Sequence, residues 1–477
     1  MTRLSDAALA NLPATIDRPR HDRSMRSGVV HFGPGAFHRA HQAPMFDALI
    51  ADDARWGITG VSLNSRDVAA ALNPQDGLYT LALLDAQPDF RIVGSIARVL
   101  TIDEADAIVA AVASPETHLV SATVTEKGYC LTAGGELDTA HPAILHDLAA
   151  PRLPRSFIGW LVAGLAERRR RALGGLTILS CDNLADNGRK LGAAVATFAG
   201  ERDAALRDWI ADRCRFPCSM VDSITPATDD ALRARVEAAT GLADAWPVQR
   251  ERFTQWVIED DFAGERPELE RAGAILSTDV RGYEAAKLRL LNGAHSALAY
   301  LGLGLGYASV AEAMRDARLA AFVERLMRED IAPSVTPPAG LDIAGYIGAI
   351  LARFANPAIA HRLSQIAWDG SQKLPHRLLG TIRDARAADR PIARLAVPIA
   401  AWMRFVDRTA AAGDTLVDPL ADVVQARAGN PRAILDLDLI FADLGRDEDF
   451  CAAVLAAYAA LAQPHAFDLD EHAGSAA

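Results

Sequence analysis

The 477-residue chain predicts an α/β protein in two parts, a parallel-sheet domain over residues 1–280 and a mostly α-helical domain over 281–477. Three observations carry this prediction. Apolar strand-like runs alternate with helix-like stretches up to about residue 280, the pattern of a parallel sheet covered on both faces. The first of those runs ends in a glycine-rich turn. Beyond about residue 280 the β signal fades and the apolar spacing becomes helical.

In chain order, a polar leader precedes "GVVHFGPGAFHRAHQAPMFDALI", a short apolar strand that runs through glycines into an amphipathic helix. The next strand, "WGITGVSL", ends at Asn64, Ser65, Arg66 and Asp67 and is followed by the helical "DVAAAL". Further strands are expected at "RIVGSI", "HLVSATVTE" and "LTILSCDN". In the second part, "YEAAKLRLLNGAHSALAYLGL", "LAAFVERLMREDIA", "IAGYIGAILARFA", "ARLAVPIAAWMRFVDRTAAA" and "EDFCAAVLAAYAALA" all predict helices. Weak breaks fall at "TPPAGLD" and "AAGDTLVDPLAD", with no internal repeat.

With 50% hydrophobic and 23% charged residues, the chain can bury substantial cores. A net charge of -12 argues against a nucleic-acid or anionic-membrane partner, because the average surface would repel either. The basic run Arg168–Arg171 follows "FIGWLVAGLAE" and fits the polar C-terminal turn of a helix, where cations suit the dipole. Cysteines 130, 181, 214, 218 and 451 form no paired ligand set, so no metal site is expected, and free thiols fit a reducing compartment. "SALAYLGLGLGYASVAEAM" is broken by glycine and fits a buried helix or helix pair better than a membrane span. A cytoplasmic protein is expected, a monomer or small homo-oligomer with a small-molecule substrate.

The first strand ends at Gly33-Pro34-Gly35, a G-x-G with His38 where a third glycine would stand, and Ala36 and Phe37 follow the turn. Glycines here let the chain bend sharply and let backbone N–H groups approach a pyrophosphate. Strand one of an alternating βαβ pattern is where such a turn binds a dinucleotide. At the end of strand two, Asp67 can accept hydrogen bonds from both ribose hydroxyls and would repel a 2′-phosphate, which favours NAD; the adjacent Arg66 pulls toward NADP. The expectation is NAD preference with some NADP tolerance. His38 and His41 are expected mainly to cap and pack the turn.

The segment "KLRLLNGAH" sets polar groups into an apolar helix. At α-helical spacing, taking Lys287 as zero, Glu284 falls at roughly 60°, His295 at roughly 80° and Asn292 at roughly 140°, so all four share one face.

With both features in view, the chain resembles the long-chain polyol dehydrogenases, the zinc-independent family containing mannitol 2-dehydrogenase and fructuronate reductase (D-mannonate oxidoreductase). The matching segments are "GPGAFHRAHQA", "TVTEKGY", "ILSCDNLADNG", "FPCSMVDSITP", "QWVIEDDFAGERP", "KLRLLNGAHSALAYLG" and "DGSQKLPHRLLGTI". The resemblance implies an expanded Rossmann-type domain followed by a helical domain, with the site in the cleft between them. Lys287 looks like the catalytic lysine of the K-x4-N-x2-H motif, Asn292 and Asn183 like the pair that holds the substrate oxygen, and His295 like a substrate-positioning group. Asp222 looks like a further substrate residue, and Glu126 of "TVTEKGY" joins the cofactor set. Two positions depart from the family pattern. Ser223 stands where arginine is usual, and Arg252 where proline is usual, which touches local packing or substrate fit more than the reaction.

Oxidising a secondary alcohol without zinc requires a side-chain base for the hydroxyl proton and hydrogen-bond donors for the developing alkoxide. Lysine begins near a pKa of about 10.4, so burial and a cationic nicotinamide must lower it. Glu284, one turn before Lys287, is assigned a proton relay to solvent. For the substrate, Lys373 and Arg377 in "SQKLPHRLLGTI" offer two cations within five residues, and arginine can grip a carboxylate with parallel hydrogen bonds. That form resembles fructuronate reductases, although His376 stands where they more often have glutamine. An NAD-dependent interconversion of D-fructuronate and D-mannonate is therefore expected. Its alternative is a mannitol, arabinitol or sorbitol 2-dehydrogenase.

Overall fold

The computed structural model describes residues 2–85, 87–359 and 361–463. They form two compact units, one ending at Arg281 and the other starting at Gly282.

The strands of the first unit are β1 (Val29–Phe32), β2 (Ile58–Ser62), β3 (Tyr79–Leu84), β4 (Asp89–Val93), β5 (Ile96–Thr101), β6 (Leu119–Ala122), β7 (Thr177–Ser180), β8 (Ser219–Asp222), β9 (Val248–Glu251), β10 (Gln255–Glu259) and β11 (Ile275–Ser277). A five-stranded sheet has the order β5-β2-β1-β6-β7, and every pairing in it is parallel. Strands β1, β2, β6 and β7 are buried along their whole length, as expected for a sheet covered on both faces. One face packs Val30, Phe32, Val120 and Ile178 against helix Phe157–Arg170, where Trp160 and Leu161 are fully buried. Because β2 lies on one side of β1 and β6 on the other, the strand order reverses at β1. Open parallel sheets bind ligands outside the carboxyl ends of the strands at such a point.

Several expectations are corrected here. "RIVGSI" is two strands rather than one: β4 pairs antiparallel with β3 in a smaller sheet completed by β9, while β5 joins the parallel sheet. A third sheet, β11-β10-β8, has no counterpart in the strand pattern read from the sequence. The strand in "HLVSATVTE" stops at Ala122, and the rest is a loop. The helix after the glycine turn is broken at His41 into Ala36–Ala40 and Gln42–Ile50. Arg168, expected on a polar turn, is buried and donates to the carbonyls of Val112, Ser114 and Gly174, which stitches its helix to the C-terminal end of helix Ala105–Val112.

The second unit is helical, and its core is the long helix Ala393–Ala411 packed against Gly293–Gly304 and Glu448–Ala460. "SALAYLGLGLGYASVAEAM" is a helix pair, broken where Gly306 takes φ +87°. Two stretches expected to be regular α-helix instead contain π-helical segments, at Lys287–Asn292 and Leu326–Ile331, and a third π-helical segment lies at Pro375–Leu379. The first packs against both of the others. Among the described residues, no helix is long and apolar enough to cross a membrane.

Candidate active site

In the first unit, the predicted cofactor residues gather at the carboxyl end of the parallel sheet. Gly33 takes φ +85°, and a Cβ on it would lie 2.2 Å from the Thr123 carbonyl oxygen, so only glycine fits between the loops after β1 and β6. Thr123 closes the contact from its side, its hydroxyl donating to the Gly33 carbonyl at 2.7 Å. Gly35 differs. A Cβ there would meet nothing nearer than 3.8 Å, so no crowding within the chain calls for glycine at that position. A pyrophosphate approaching the backbone there would give a reason for glycine, and these residues fit a dinucleotide. Ala36 and Phe37 open the following helix, where the first N–H groups have no intrahelical acceptor.

Behind the turn, His31 of β1 stacks on His38 with ring centroids 3.4 Å apart. Burial holds both imidazoles neutral, His31 down to about 3. His41 meets the Gln255 carbonyl at 3.1 Å and stacks on Phe37, so the histidines of "FHRAHQA" pack the turn from beneath. Buried Arg39 donates to the carbonyls of Pro34 and Trp246.

At the end of β2, Arg66 is engaged. Its Nε and Nη2 donate to the two carboxylate oxygens of Asp103 at 2.5 and 2.6 Å. Exposed Asp67 opens the next helix, its N–H held by the Ser65 hydroxyl. Glu126, also exposed, starts a short turn after β6. Asn183 lies in the loop just beyond β7. Asp222 ends β8, buried and in register with Gln255 of β10. The two departures from the family pattern have local partners: the Ser223 hydroxyl donates to the Phe253 carbonyl, and Arg252 pairs with Asp85 and Asp89 near the facing ends of β3 and β4.

In the second unit, Glu284 lies in helix Val280–Ala286, immediately before the π-helical segment that runs from Lys287 to Asn292. Bonding from i to i+5 widens the turn and brings residues five apart toward one face. Lys287 and Asn292 are five apart, so the π turn draws together two groups that α spacing would set about 140° apart. His295 follows on the α-helix, buried, with its ring centroid 4.4 Å from that of Phe354 and 5.1 Å from that of His361. Burial holds it well below its ordinary pKa, helped by His361, Arg353 and Arg377. Its buried Nε2 has no hydrogen-bond partner among the described residues.

Arg377 lies against this helix. Its Nη1 donates to the Ser296 hydroxyl at 3.1 Å and reaches the Asn292 carbonyl at 3.5 Å. Gly293 permits the approach, since its Cβ would stand 3.0 Å from the Arg377 carbonyl. Burial lowers the guanidinium from its usual value, and no carboxylate pairs with it among the described residues. Lys373, one turn earlier, is 3.7 Å from Asp369, whereas His376 is exposed. Ser296 was not singled out by sequence reasoning; its place one residue after His295 is the only local signal.

A glycine turn at the reversal of a parallel sheet, followed by a helical unit carrying a lysine-asparagine-histidine face, defines an oxidoreductase of the Rossmann class. Residues 27–271 match the mannitol dehydrogenase Rossmann domain, and residues 279–462 match the mannitol dehydrogenase C-terminal domain. The chain belongs to the mannitol dehydrogenase family. It is 41% identical to the D-mannonate oxidoreductase of Escherichia coli K12, over 97% of this chain and 98% of that one. To the mannitol 2-dehydrogenase of Phaeosphaeria nodorum it is 37% identical, over 90% of this chain and 78% of the relative. The solved ternary complex of Pseudomonas fluorescens mannitol 2-dehydrogenase with NAD and D-mannitol is 36% identical, covers 99% of both chains and superposes with a TM-score of 0.82.

Proposed function

We propose that this protein interconverts D-mannonate and D-fructuronate, with NAD as the hydride carrier. The observation that carries the sugar-acid reading is Arg377, a half-buried cation with no carboxylate within ion-pair distance among the described residues, held by Ser296 and Asn292 on the helix that bears Lys287 and His295. A charge partly withdrawn from water without a counter-ion is costly, and a substrate carboxylate would relieve that cost with charge-assisted hydrogen bonds. Lys373 adds a second cation. Similarity to the E. coli D-mannonate oxidoreductase supports the same substrate.

In the oxidation direction, D-mannonate and NAD+ give D-fructuronate, NADH and a proton. NAD, when bound, supplies the hydride acceptor. Lys287 takes the hydroxyl proton as the carbon loses hydride, Asn292 and Asn183 donate to the oxygen, and Glu284 passes the proton on to solvent. His295 directs its buried Nε2 to a substrate hydroxyl; being neutral, it can donate or accept there. Asp222 takes up further hydroxyls.

A second reading, a mannitol 2-dehydrogenase using the same residues, is favoured by the likeness to the P. fluorescens complex and by the charge of Lys373 being partly met by Asp369. NADH formation with D-mannonate and D-mannitol offered separately distinguishes the two. We expect D-mannonate to be preferred, and Arg377→Ala to raise its KM by roughly tenfold or more, the worth of one lost charge-assisted contact. A preference for D-mannitol that Arg377→Ala leaves unchanged would move the protein to the polyol reading. Lys287→Ala should lower kcat by about 10²–10⁴, the range for a positioned acid–base group, and a near-normal rate would remove the lysine as base.

A further inference from the structure

Asp182, between β7 and Asn183, has no part in the assignments above, yet its carboxylate accepts three hydrogen bonds at this end of the sheet. Oδ1 accepts the backbone N–H of Thr125 at 2.9 Å, and Oδ2 accepts the N–H of Val124 at 3.0 Å and the Tyr129 hydroxyl at 2.7 Å. Tyr129 is buried and also shares a 2.6 Å hydrogen bond with Ser180, the last residue of β7. One side chain thus ties the loop after β6 to the loop after β7.

The loop it holds is strained. Thr125 sits at φ +66°, ψ 161°, a region that is essentially glycine's and is strained for other residues, persisting only where the surroundings enforce it. The enforcing contacts here are the two backbone hydrogen bonds to Asp182. The next residue is Glu126, and two residues earlier Thr123 bonds the Gly33 carbonyl of the nucleotide turn. On the other side of Asn183, the Asn187 amide donates to the carbonyls of Ser180, Asp182 and Ser219, so the Asn183 loop is anchored at both ends.

We propose that Asp182 is a positioning residue that fixes Asn183 against the nucleotide-side loop, so that the amide holding the substrate oxygen and the strained Thr125–Glu126 turn are set by one carboxylate. This rests on the reading of Asn183 as a donor to the substrate oxygen. Asparagine at 182 would present an amide NH2 to one of the donors that the carboxylate now accepts, leaving a buried donor unpaired and releasing the turn.

The test measures kcat and KM with the better of D-mannonate and D-mannitol, and NADH affinity by fluorescence titration, in Asp182→Asn, Asn183→Ala and the double variant. We expect Asp182→Asn to lower kcat at least tenfold and weaken NADH binding several-fold. On the Asn183→Ala background it should change kcat by less than threefold, because its effect on the reacting oxygen runs through Asn183. A fully multiplicative loss in the double variant overturns the inference, since that is the signature of general destabilisation. An impaired Asn183→Ala beside a near-normal Asp182→Asn also overturns it, while leaving the role of Asn183 intact. A silent Asn183→Ala overturns the role of Asn183 and this inference together. If Asp182→Asn does not fold, Tyr129→Phe carries the same test. It keeps both backbone donors and should cost about threefold in kcat, with the loss absent on the Asn183→Ala background; an unchanged kcat overturns the inference.

Discussion

At the residue scale, the two glycines of the nucleotide turn are alike in type but not in the reason each is there. Gly33 is required by the protein itself, through its positive φ and the Thr123 carbonyl 2.2 Å from where a Cβ would stand, whereas nothing in the chain crowds Gly35. Gly33→Ala should therefore lower the melting temperature, by a loss of about 1–3 kcal/mol for the strained backbone before any clash is counted. Gly35→Ala should melt like the parent while binding NADH more weakly, because the added methyl would occupy the pyrophosphate approach. Equal melting losses in the two variants would contradict this assignment. The Arg66–Asp103 pair carries a second prediction. While Asp103 holds the guanidinium, Arg66 is not available to a 2′-phosphate, and Asp103 adds negative charge nearby. Asp103→Ala should raise kcat/KM for NADP+ several-fold and leave NAD+ almost unaffected, which steady-state kinetics with both cofactors would show.

Among the elements, the π-helical segments are the least ordinary feature. The one at Pro375–Leu379 has a local cause: Pro375 has no N–H to bond the carbonyl four residues back, and its ring crowds that carbonyl, so the ladder must widen. Lys287–Asn292 contains no proline and is held by its surroundings. Arg289 within it donates to the Ser334 carbonyl at 2.7 Å and pairs closely with Asp384, and Leu290 and Leu291 are buried. Arg289→Ala should lower kcat several-fold without changing the far-ultraviolet circular dichroism. Asp384→Asn should do less, since the Ser334 carbonyl still accepts. If both variants keep the parent kcat, the geometry of the turn does not depend on these ties.

For the whole molecule, the buried histidines predict acid sensitivity. His31, His38 and His295 are held neutral by burial in the folded state, His31 down to about 3, whereas in the unfolded chain each protonates near its ordinary value of 6.5. Their contribution to stability is thus fully present above pH 6.5 and is lost as pH falls toward the folded values. The maximum slope is about 1.4 kcal/mol per pH unit for each histidine. Urea unfolding of the parent and His38→Phe at pH 7.5, 6.0 and 5.0 should show a shallower decline in the variant, which keeps the ring stacked on His31 but cannot take a proton. Parallel declines would show that His38 does not contribute.

Much of the architecture was legible in the amino-acid order because it follows from local rules. Strand-length apolar runs separated by helical periods give a parallel sheet, a glycine pair after the first strand gives the turn, and the change of period near residue 280 separates the helical part. The polar face of "KLRLLNGAH" was also legible, being a matter of spacing along one helix. Tertiary structure alone decided the rest. Whether "RIVGSI" is one strand or two depends on which neighbours take its two halves, since β4 pairs with β3 in the smaller sheet while β5 pairs with β2 in the parallel one. The π turn at Lys287 packs against the other two π-helical segments, so α-helical spacing, which sets Lys287 and Asn292 about 140° apart, could not foresee that they are drawn closer together on that face. That Arg66 is already paired, that Arg377 is half-buried with no carboxylate in ion-pair reach among the described residues, and that Asp182 gathers the loops after β6 and β7 are all facts of long-range contact. A charged residue's role depends on which charges and donors the fold brings to it, and the sequence lists those groups without saying which of them meet.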